Sequence, residues 1–218
     1  MSSAWSWGGT TPPHTTNTSP APCAPSAAIV GAATKLFLDA GYADTSMDTI
    51  AAVAGVSKRT VYSHFQNKAA LFAAVMVDLC QRLVGPCPLG EHWTGAPSEV
   101  LPVAGRWFLS LITSPEAIAL QRVVMAESVR VPELGEVYME TGPKVIIGRV
   151  AQYLTDQNAL GALDVANVEA AAAQFIELVR APIFLPLSLG LRPPPDTDEI
   201  ERTAGHAVSM FLKAYAPA

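Results

Sequence analysis

The sequence predicts an all-α protein in two parts, and three observations carry that reading. From Ala27 onward apolar residues recur at helical spacing, hardly any stretch alternates apolar and polar residues as a half-buried strand does, and capping residues stand before the apolar runs. Half of the 218 residues are apolar and 15% are charged, with a mean hydropathy of +0.28. Such a composition excludes a chain held unfolded by high charge and low hydrophobicity.

The chain opens differently. Residues 1–25 hold five prolines among Ser, Thr, Gly and Ala, with no Lys or Arg and no hydrophobic period, which predicts a flexible tail whose large apolar groups are Trp5 and Trp7. Helical spacing then begins: Ile29, Ala33, Leu36, Phe37 and Ala40 form one stripe, and Gly41 is placed to end that first helix in left-handed geometry. Thr45 can cap a second helix over about 46–54, with Asp48 three residues later in a capping-box arrangement. Met47, Ile50, Ala51 and Ala54 are its buried face.

Gly55 breaks that helix, and the signals after it agree with one another. Ser57 is an N-cap, and Val56 and Val61 are spaced as a hydrophobic staple, which fixes the angle at which a third short helix starts. Two short helices joined by a tight Gly-containing turn make a helix-turn-helix unit. Asn67 caps a longer fourth helix with the stripe Leu71, Phe72, Val75, Met76, Leu79 and Leu83, stopped by Gly85-Pro86. After a Pro- and Gly-rich linker at 85–97, further helices are expected near 98–113, 115–130, 132–140, 143–157, 164–185 and 197–214. Pro182 and Pro186 predict a kink or early stop in the fifth of these. The domains that follow are a tail at 1–25, a helix-turn-helix domain at 26–72, and a connecting helix with a C-terminal domain at 73–218.

Charge is distributed unevenly. The chain carries 14 Lys and Arg against 19 Asp and Glu, a net charge of −5, which argues weakly against a polyanionic partner. Residues 26–84, however, hold five bases against four acids, and Lys58, Arg59 and Lys68 fall within eleven residues. No run of about 18 apolar residues is present, and the start of the chain has neither a cationic end nor an apolar block. The expectation is therefore no membrane span, no secretion signal and a cytoplasmic protein. Cys23, Cys80 and Cys87 match neither a disulfide framework nor a zinc pattern and read as free thiols. Cys80 and Cys87 can pair only if their α carbons come within reach.

On a wheel of 100° per residue, Val61 and Phe65 of the third helix point one way, while Arg59, Thr60 and Ser63 point the other, flanked by Tyr62 and His64. Arginine can fork onto guanine O6 and N7, Ser and Thr can bond bases or phosphates, and the Thr methyl can meet a thymine methyl, so this face suits the major groove. Phosphates need short bonds from bases, phenols, hydroxyls and helix N-termini. Lys58, Tyr62, Lys68 and Thr45 can supply them. Each also has a plainer reading, as a solvated charge, a packing residue or a cap; together, in a helix-turn-helix frame, they favour DNA.

The stretch Thr45-Ser46-Met47-Asp48-Thr49-Ile50-Ala51-Ala52-Val53-Ala54-Gly55-Val56-Ser57-Lys58-Arg59-Thr60-Val61-Tyr62-Ser63-His64-Phe65-Gln66-Asn67-Lys68-Ala69-Ala70-Leu71-Phe72 resembles the DNA-binding segment of the TetR family of bacterial transcriptional regulators. With Ile29 to Tyr42 as its first helix, the likeness covers about 55 residues. Met125-Ala126-Glu127-Ser128, Arg130-Val131-Pro132-Glu133-Leu134 and Gly142-Pro143 resemble, more weakly, the C-terminal domain of the AefR-like branch. The resemblance implies a helical homodimer, a C-terminal ligand pocket and repression relieved by a small-molecule effector. It also implies groove reading by Ser57 to Phe65 and phosphate contacts from Tyr62 and Lys68, joined by Lys58 and His64. Two departures stand out: Pro25-Ser26-Ala27-Ala28 lacks the basic residue common before the first helix, and Gln66 sits where Pro or a small residue is frequent.

In the C-terminal half, Trp107, Phe108, Met125, Tyr138, Met139, Phe175 and Phe184 accompany Arg106, Arg122, Gln174 and Arg180, a mix suited to an apolar pocket with a few polar anchors, although such residues at helical spacing also simply make core. We place the effector pocket at Trp107, Phe108, Arg122, Met125, Tyr138 and Phe175. The resemblance makes the last two long segments, with Ala170 to Ala173 and with Ile200, Val208, Phe211 and Leu212, the dimer bundle. The partners expected are double-stranded operator DNA, a largely apolar effector and a second copy of the chain, at the nucleoid in the cytoplasm, with no membrane, metal or cofactor. An enzyme or ligand carrier using the C-terminal cavity is the contrasting reading. Against it, the chain lacks G-x-S-x-G, H-E-x-x-H, a phosphate loop and G-x-G-x-x-G, and His14, His64, His92 and His206 are scattered. A regulator without an effector stays open.

Overall fold

The computed structural model describes residues 24–217. The expected tail, with Trp5, Trp7, His14 and Cys23, lies outside the described residues, except that Ala24 and Pro25 already belong to the first helix. No strand occurs among the described residues. The helices are α1 (Ala24–Asp44), α2 (Met47–Ala54), α3 (Lys58–His64), α4 (Lys68–Val84), α5 (Pro97–Ile112), α6 (Pro115–Glu127), α7 (Pro132–Thr141), α8 (Pro143–Ala159), α9 (Val168–Arg180), α10 (Phe184–Ser188) and α11 (Thr197–Ala214).

Local chemistry sets these boundaries. The side chains of Ser46, Ser57 and Asn67 cap α2, α3 and α4 by accepting from the backbone N–H three residues on, which satisfies donors that a helix start leaves unpaired. Helices α5 to α8 each open on a proline, whose missing N–H costs nothing in a first turn. At Gly55 the backbone turns left-handed (φ 67°, ψ 29°), and its N–H bonds back to α2. Gly41 also has positive φ, but with ψ 170° it breaks α1 by an extended step, and Tyr42–Asp44 resume a last turn.

Two apolar cores result. The first joins Ile29, Ala33 and Phe37 of α1 to Ile50, Val61, Leu71 and Phe72, and it continues into Leu120, Val123, Val124 and Leu134 of α6 and α7. The helix-turn-helix is thus packed onto two helices of the later half. Phe37 and Phe72 meet edge-on with ring centroids 5.0 Å apart, and Tyr42 lies 5.2 Å from Phe72, a geometry that adds about 1 kcal/mol per pair beyond burial. The second core gathers Leu101, Phe108, Val150, Tyr153, Phe175 and Phe211, drawn from α5, α8, α9 and α11.

Three expectations need correction. Thr45 does not cap α2; Ser46 does. Ala40 is exposed rather than on the buried stripe. The 85–97 connection is more than a linker: Cys87 and Trp93 are buried in the second core, and the Trp93 and Tyr153 rings lie 6.0 Å apart. The interruption expected within 164–185 is present: α9 stops at Arg180, two residues before Pro182, and a short α10 follows.

Among the described residues no single helix is long and apolar enough to cross a membrane. The bent pair α5 and α6 would suffice by composition, yet its apolar side chains, Leu101, Phe108, Leu109 and Leu120 among them, are spent on the two cores.

Candidate nucleic-acid interface and effector cavity

Helix α3 is anchored by one buried residue, Val61, with Thr60 and the following Phe65 half-buried and its other residues exposed. Arg59, Tyr62, Ser63 and His64 are exposed, and Tyr62 is 52% accessible despite its size. The Ser63 hydroxyl donates to the Thr60 carbonyl at 2.7 Å, leaving its lone pairs free to accept. The Thr60 and Ser57 hydroxyls share a hydrogen bond of 2.8 Å, so the half-buried Thr60 helps to hold the cap. The ammonium of Lys58 pairs with Asp48 of α2 at 2.5 Å, both side chains more than half exposed. Such a pair contributes about 0–1 kcal/mol and can be exchanged for a phosphate.

Two of the expected phosphate contacts have hydrogen-bond partners within the chain. Thr45 is buried at 3% exposure, and its hydroxyl donates to the carbonyls of Gly41 (2.8 Å) and Leu36 (3.2 Å), so it closes the end of α1. The ammonium of Lys68 donates to the carbonyls of Tyr42 (2.7 Å), Thr45 (3.0 Å) and Ala43 (3.2 Å). All three of its N–H bonds are committed within the chain.

A cavity of about 310 Å³ opens at the seam between the two cores. Its apolar wall includes Leu83, Phe108, Leu111, Ile146, Ile176 and Phe184, and its polar groups are Cys80, Gln121, Tyr138, Glu177 and Arg180. Of the expected pocket residues, Phe108 and Tyr138 line it, as do Met139, Phe184 and Arg180. The other four are elsewhere. Phe175 is fully buried, edge-on to Phe211 at 5.2 Å. Met125 is 63% exposed, and Trp107 packs on the second core. Arg122 caps α10 by donating to the carbonyls of Ser188 (2.8 Å) and Leu187 (3.1 Å). Sequence reasoning missed Cys80 and Gln121, since both lie on helix faces that periodicity assigns to core.

Inside the cavity the Tyr138 hydroxyl donates to Gln121 Oε1, linking α7 to α6. Burial, with a smaller push from Cys80, raises the Tyr138 phenol to about 12, against a lowering by Arg180. Burial also pushes the Cys80 thiol up, partly offset by a hydrogen bond with Thr141. At the rim Arg180 pairs with Glu177 at 2.8 Å and lies 5.0 Å from the Phe184 ring. Among the described residues, no three His, Cys, Asp or Glu side chains gather as metal ligands.

Two family models match this chain: "Bacterial regulatory proteins, tetR family" over residues 29–75, and "AefR-like transcriptional repressor, C-terminal domain" over residues 99–217, more than half of its length. The chain belongs to the TetR family. Its structure is similar to that of the "Flavonoid-responsive Regulator FrrA", with 34% identity, 88% of this chain and 97% of that one covered, and a TM-score of 0.76. A TetR-family regulator from Mesorhizobium loti gives 26% identity, 88% and 96% coverage and a TM-score of 0.75.

Curated relatives match over only part of the chain. The activator FasR of Mycolicibacterium smegmatis is 49% identical over 53 residues, 24% of each chain, and the regulator YhgD of Bacillus subtilis is 42% identical over 55 residues, 25% of this chain and 29% of that one. The regulator AcrR of Shigella flexneri is 29% identical over 97 residues, 44% of each. The chain thus spans less than half the length of the curated relatives it matches. The TetR-type segment at 29–75 contains α2 and α3 whole, and the AefR-like segment contains all of the cavity wall except its α4 residues.

Proposed function

We propose that this TetR-family chain is a repressor that reads operator DNA through α3 and lets go when a small, largely apolar molecule fills the cavity. One observation carries the reading: the cavity lies at the seam between the core that seats α3 and the core of the later half. Its walls include α4, α6 and α7, and these same helices bury Leu71, Leu120 and Leu134 against α1 and the helix-turn-helix. A molecule that spreads the seam therefore has to shift the platform on which α3 rides. Effector and operator binding then oppose each other reciprocally.

On the DNA, Arg59 and Ser63 face base edges, while Lys58, Tyr62 and His64 reach phosphates or flanking bases. Two copies place their α3 helices about 34–36 Å apart on a near-palindromic site. We assign the dimer face to α9 and α11, with a change of residues. Ala171, Ala172, Val208 and Phe211 are used in the chain's own core, so the outward, closely approachable positions are Ala170, Ala173, Gly205, Ser209 and Met210. The similarity to FrrA, whose name marks it as responsive to a small molecule, supports a ligand-gated regulator over an enzyme. The protein works on the chromosome, inside the cell.

The deciding measurement is retention of fragments of its own genome by the purified protein, followed by footprinting. Arg59→Ala and Tyr62→Ala each weaken retention, Arg59→Ala by about 1–3 kcal/mol with relaxed sequence preference, while helicity and melting stay unchanged. Full affinity in both folded variants removes α3 as the reading surface.

A further inference from the structure

The cavity's polar groups say more about its occupant than its apolar walls do. Arg180 and Glu177 neutralise one another at the rim. Inside, the polar groups that remain are the thiol of Cys80, the phenol of Tyr138 and the amide of Gln121, all uncharged. A carboxylate or ammonium brought in would lose its hydration and would have to break the Arg180–Glu177 pair to find a counter-charge, whereas an uncharged occupant leaves that pair in place. The occupant's charge state is thereby fixed before its shape is considered.

Hydrogen-bond bookkeeping narrows it further. Tyr138 spends its one proton on Gln121 Oε1. The Gln121 side-chain NH2 makes no hydrogen bond among the described residues, and the phenol oxygen keeps its lone pairs. Side by side on the wall stand an unused donor and an unused acceptor. A hydroxyl group satisfies both at once, donating to Tyr138 Oη and accepting from Gln121 Nε2; a bare hydrocarbon leaves both unmet, and a ketone or ether satisfies only the donor. The volume of about 310 Å³ lies at the low end of small-molecule sites, which suits one or two rings rather than a long chain or a macrocycle.

We propose that the cavity selects an uncharged, compact, apolar molecule bearing a hydroxyl, and that Tyr138 and Gln121 are the pair that reads the hydroxyl. This rests on the effector-cavity reading above and adds the ligand's chemical class and the residues that recognise it. Tyr138 and Gln121 sit on α7 and α6, so a bound hydroxyl touches both helices of the later half that pack into the first core.

The test uses the full-length protein and three probes of one shape: 2-naphthol, naphthalene and 2-naphthoate. Binding is followed by calorimetry without DNA. We expect 2-naphthol to bind at least about tenfold more tightly than naphthalene, and 2-naphthoate not to bind, since a site built to hydrogen-bond a hydroxyl discriminates strongly against analogues that leave its polar groups unpaired. Tyr138→Phe and Gln121→Leu, checked for folding by circular dichroism, each bring 2-naphthol down to the naphthalene level and leave naphthalene unchanged. Naphthoate binding as tightly as naphthol, equal binding of naphthol and naphthalene, no binding of any probe, or a preserved preference in both variants overturns the assignment. The regulator reading is scored separately, by genomic-fragment retention without any probe: selective naphthol binding with no DNA retained sinks that reading and keeps the pocket, and the converse result sinks the pocket alone.

Discussion

Lys68 and Tyr42 are joined twice. The Lys68 ammonium donates to the Tyr42 carbonyl at 2.7 Å and stands 4.3 Å from the centre of the Tyr42 ring. That ring in turn stacks on Phe37 at 5.7 Å, so the cation at the start of α4 closes the end of α1 and presses on the aromatic cluster of the first core. A cation suits the negative end of a helix, and here it also bonds carbonyls at and just beyond the end of α1, where the helix stops at Asp44.

The role of Lys68 can be separated from phosphate binding. Lys68→Met is expected to lower stability by about 2 kcal/mol, as for hydrogen bonds to a charged group, and to leave the slope of log affinity against log salt unchanged. Lys58→Ala should do the opposite, reducing the slope by about 1 while leaving the urea midpoint in place, because its pair with Asp48 is exposed. A lowered salt slope for Lys68→Met at unaltered stability would return that residue to the DNA interface.

The two positive-φ glycines of the DNA-binding end predict different tolerances. At neither position would an added Cβ meet any atom within 4 Å, so a substitution there reports backbone conformation alone. Gly41 at φ 84° and ψ 170° lies in a region open essentially to glycine, whereas Gly55 at φ 67° and ψ 29° is left-handed helical, which asparagine also visits. Gly41→Ala should cost about 1–3 kcal/mol and Gly55→Ala about 1 kcal/mol, with Gly55→Asn milder still. Urea midpoints of the three variants give the ranking directly, and equal costs at both positions would refute it.

What the sequence made legible follows from how local each signal is. Caps at Ser57 and Asn67, the break at Gly55 and the split of Val61 from Arg59 need only neighbours in the chain, and each is where the spacing puts it. Thr45 and Ser46 are both good caps, and only the packing of α1 against α2 decides that Thr45 turns inward to Gly41. The cavity was half visible. Phe108 and Tyr138 line it, but which aromatic borders a void and which fills a core depends on residues far away in sequence: Phe175 is covered by Phe211 across two helices, and Gln121 matters only because Tyr138 lies beside it. Trp93 reads as linker because the anchor that buries it, Tyr153, is 60 positions further on.

Two buried tyrosines give the fold an alkaline limit. Burial is the main cause that raises both Tyr138 and Tyr153 from 10.0 to about 12, with the Glu99 charge adding at Tyr153, whose hydroxyl donates to the Gly95 carbonyl at 2.9 Å. The folded state thus favours the protonated phenols. Their contribution is fully present below pH 10 and is lost as pH rises through about 12. Unfolding midpoints should fall across that window, and Tyr138→Phe and Tyr153→Phe should each flatten the fall. An unchanged slope in the double variant would show that other groups set the limit.

The contact of α5 with α9 and α11 offers a stabilising change. Gly105 is buried inside α5, where a Cβ would lie 3.4 Å from Ala204 Cβ, 3.6 Å from Val179 Cγ2 and 3.7 Å from Val208 Cγ2, all ordinary contact distances. Glycine in a helix interior costs about 0.5–1 kcal/mol relative to alanine, and the space for one methyl group is already there. Gly105→Ala should therefore raise the urea midpoint by an amount equivalent to about 1 kcal/mol. Gly105→Val, with two further methyl groups and no room for them, should lower it by about 1–3 kcal/mol through overpacking. Since α5 also supplies Phe108 to the cavity wall, the alanine variant doubles as a rigidity probe. Its fold should tighten while its affinity for DNA stays the same, because α5 contributes no residue to the core that seats α3.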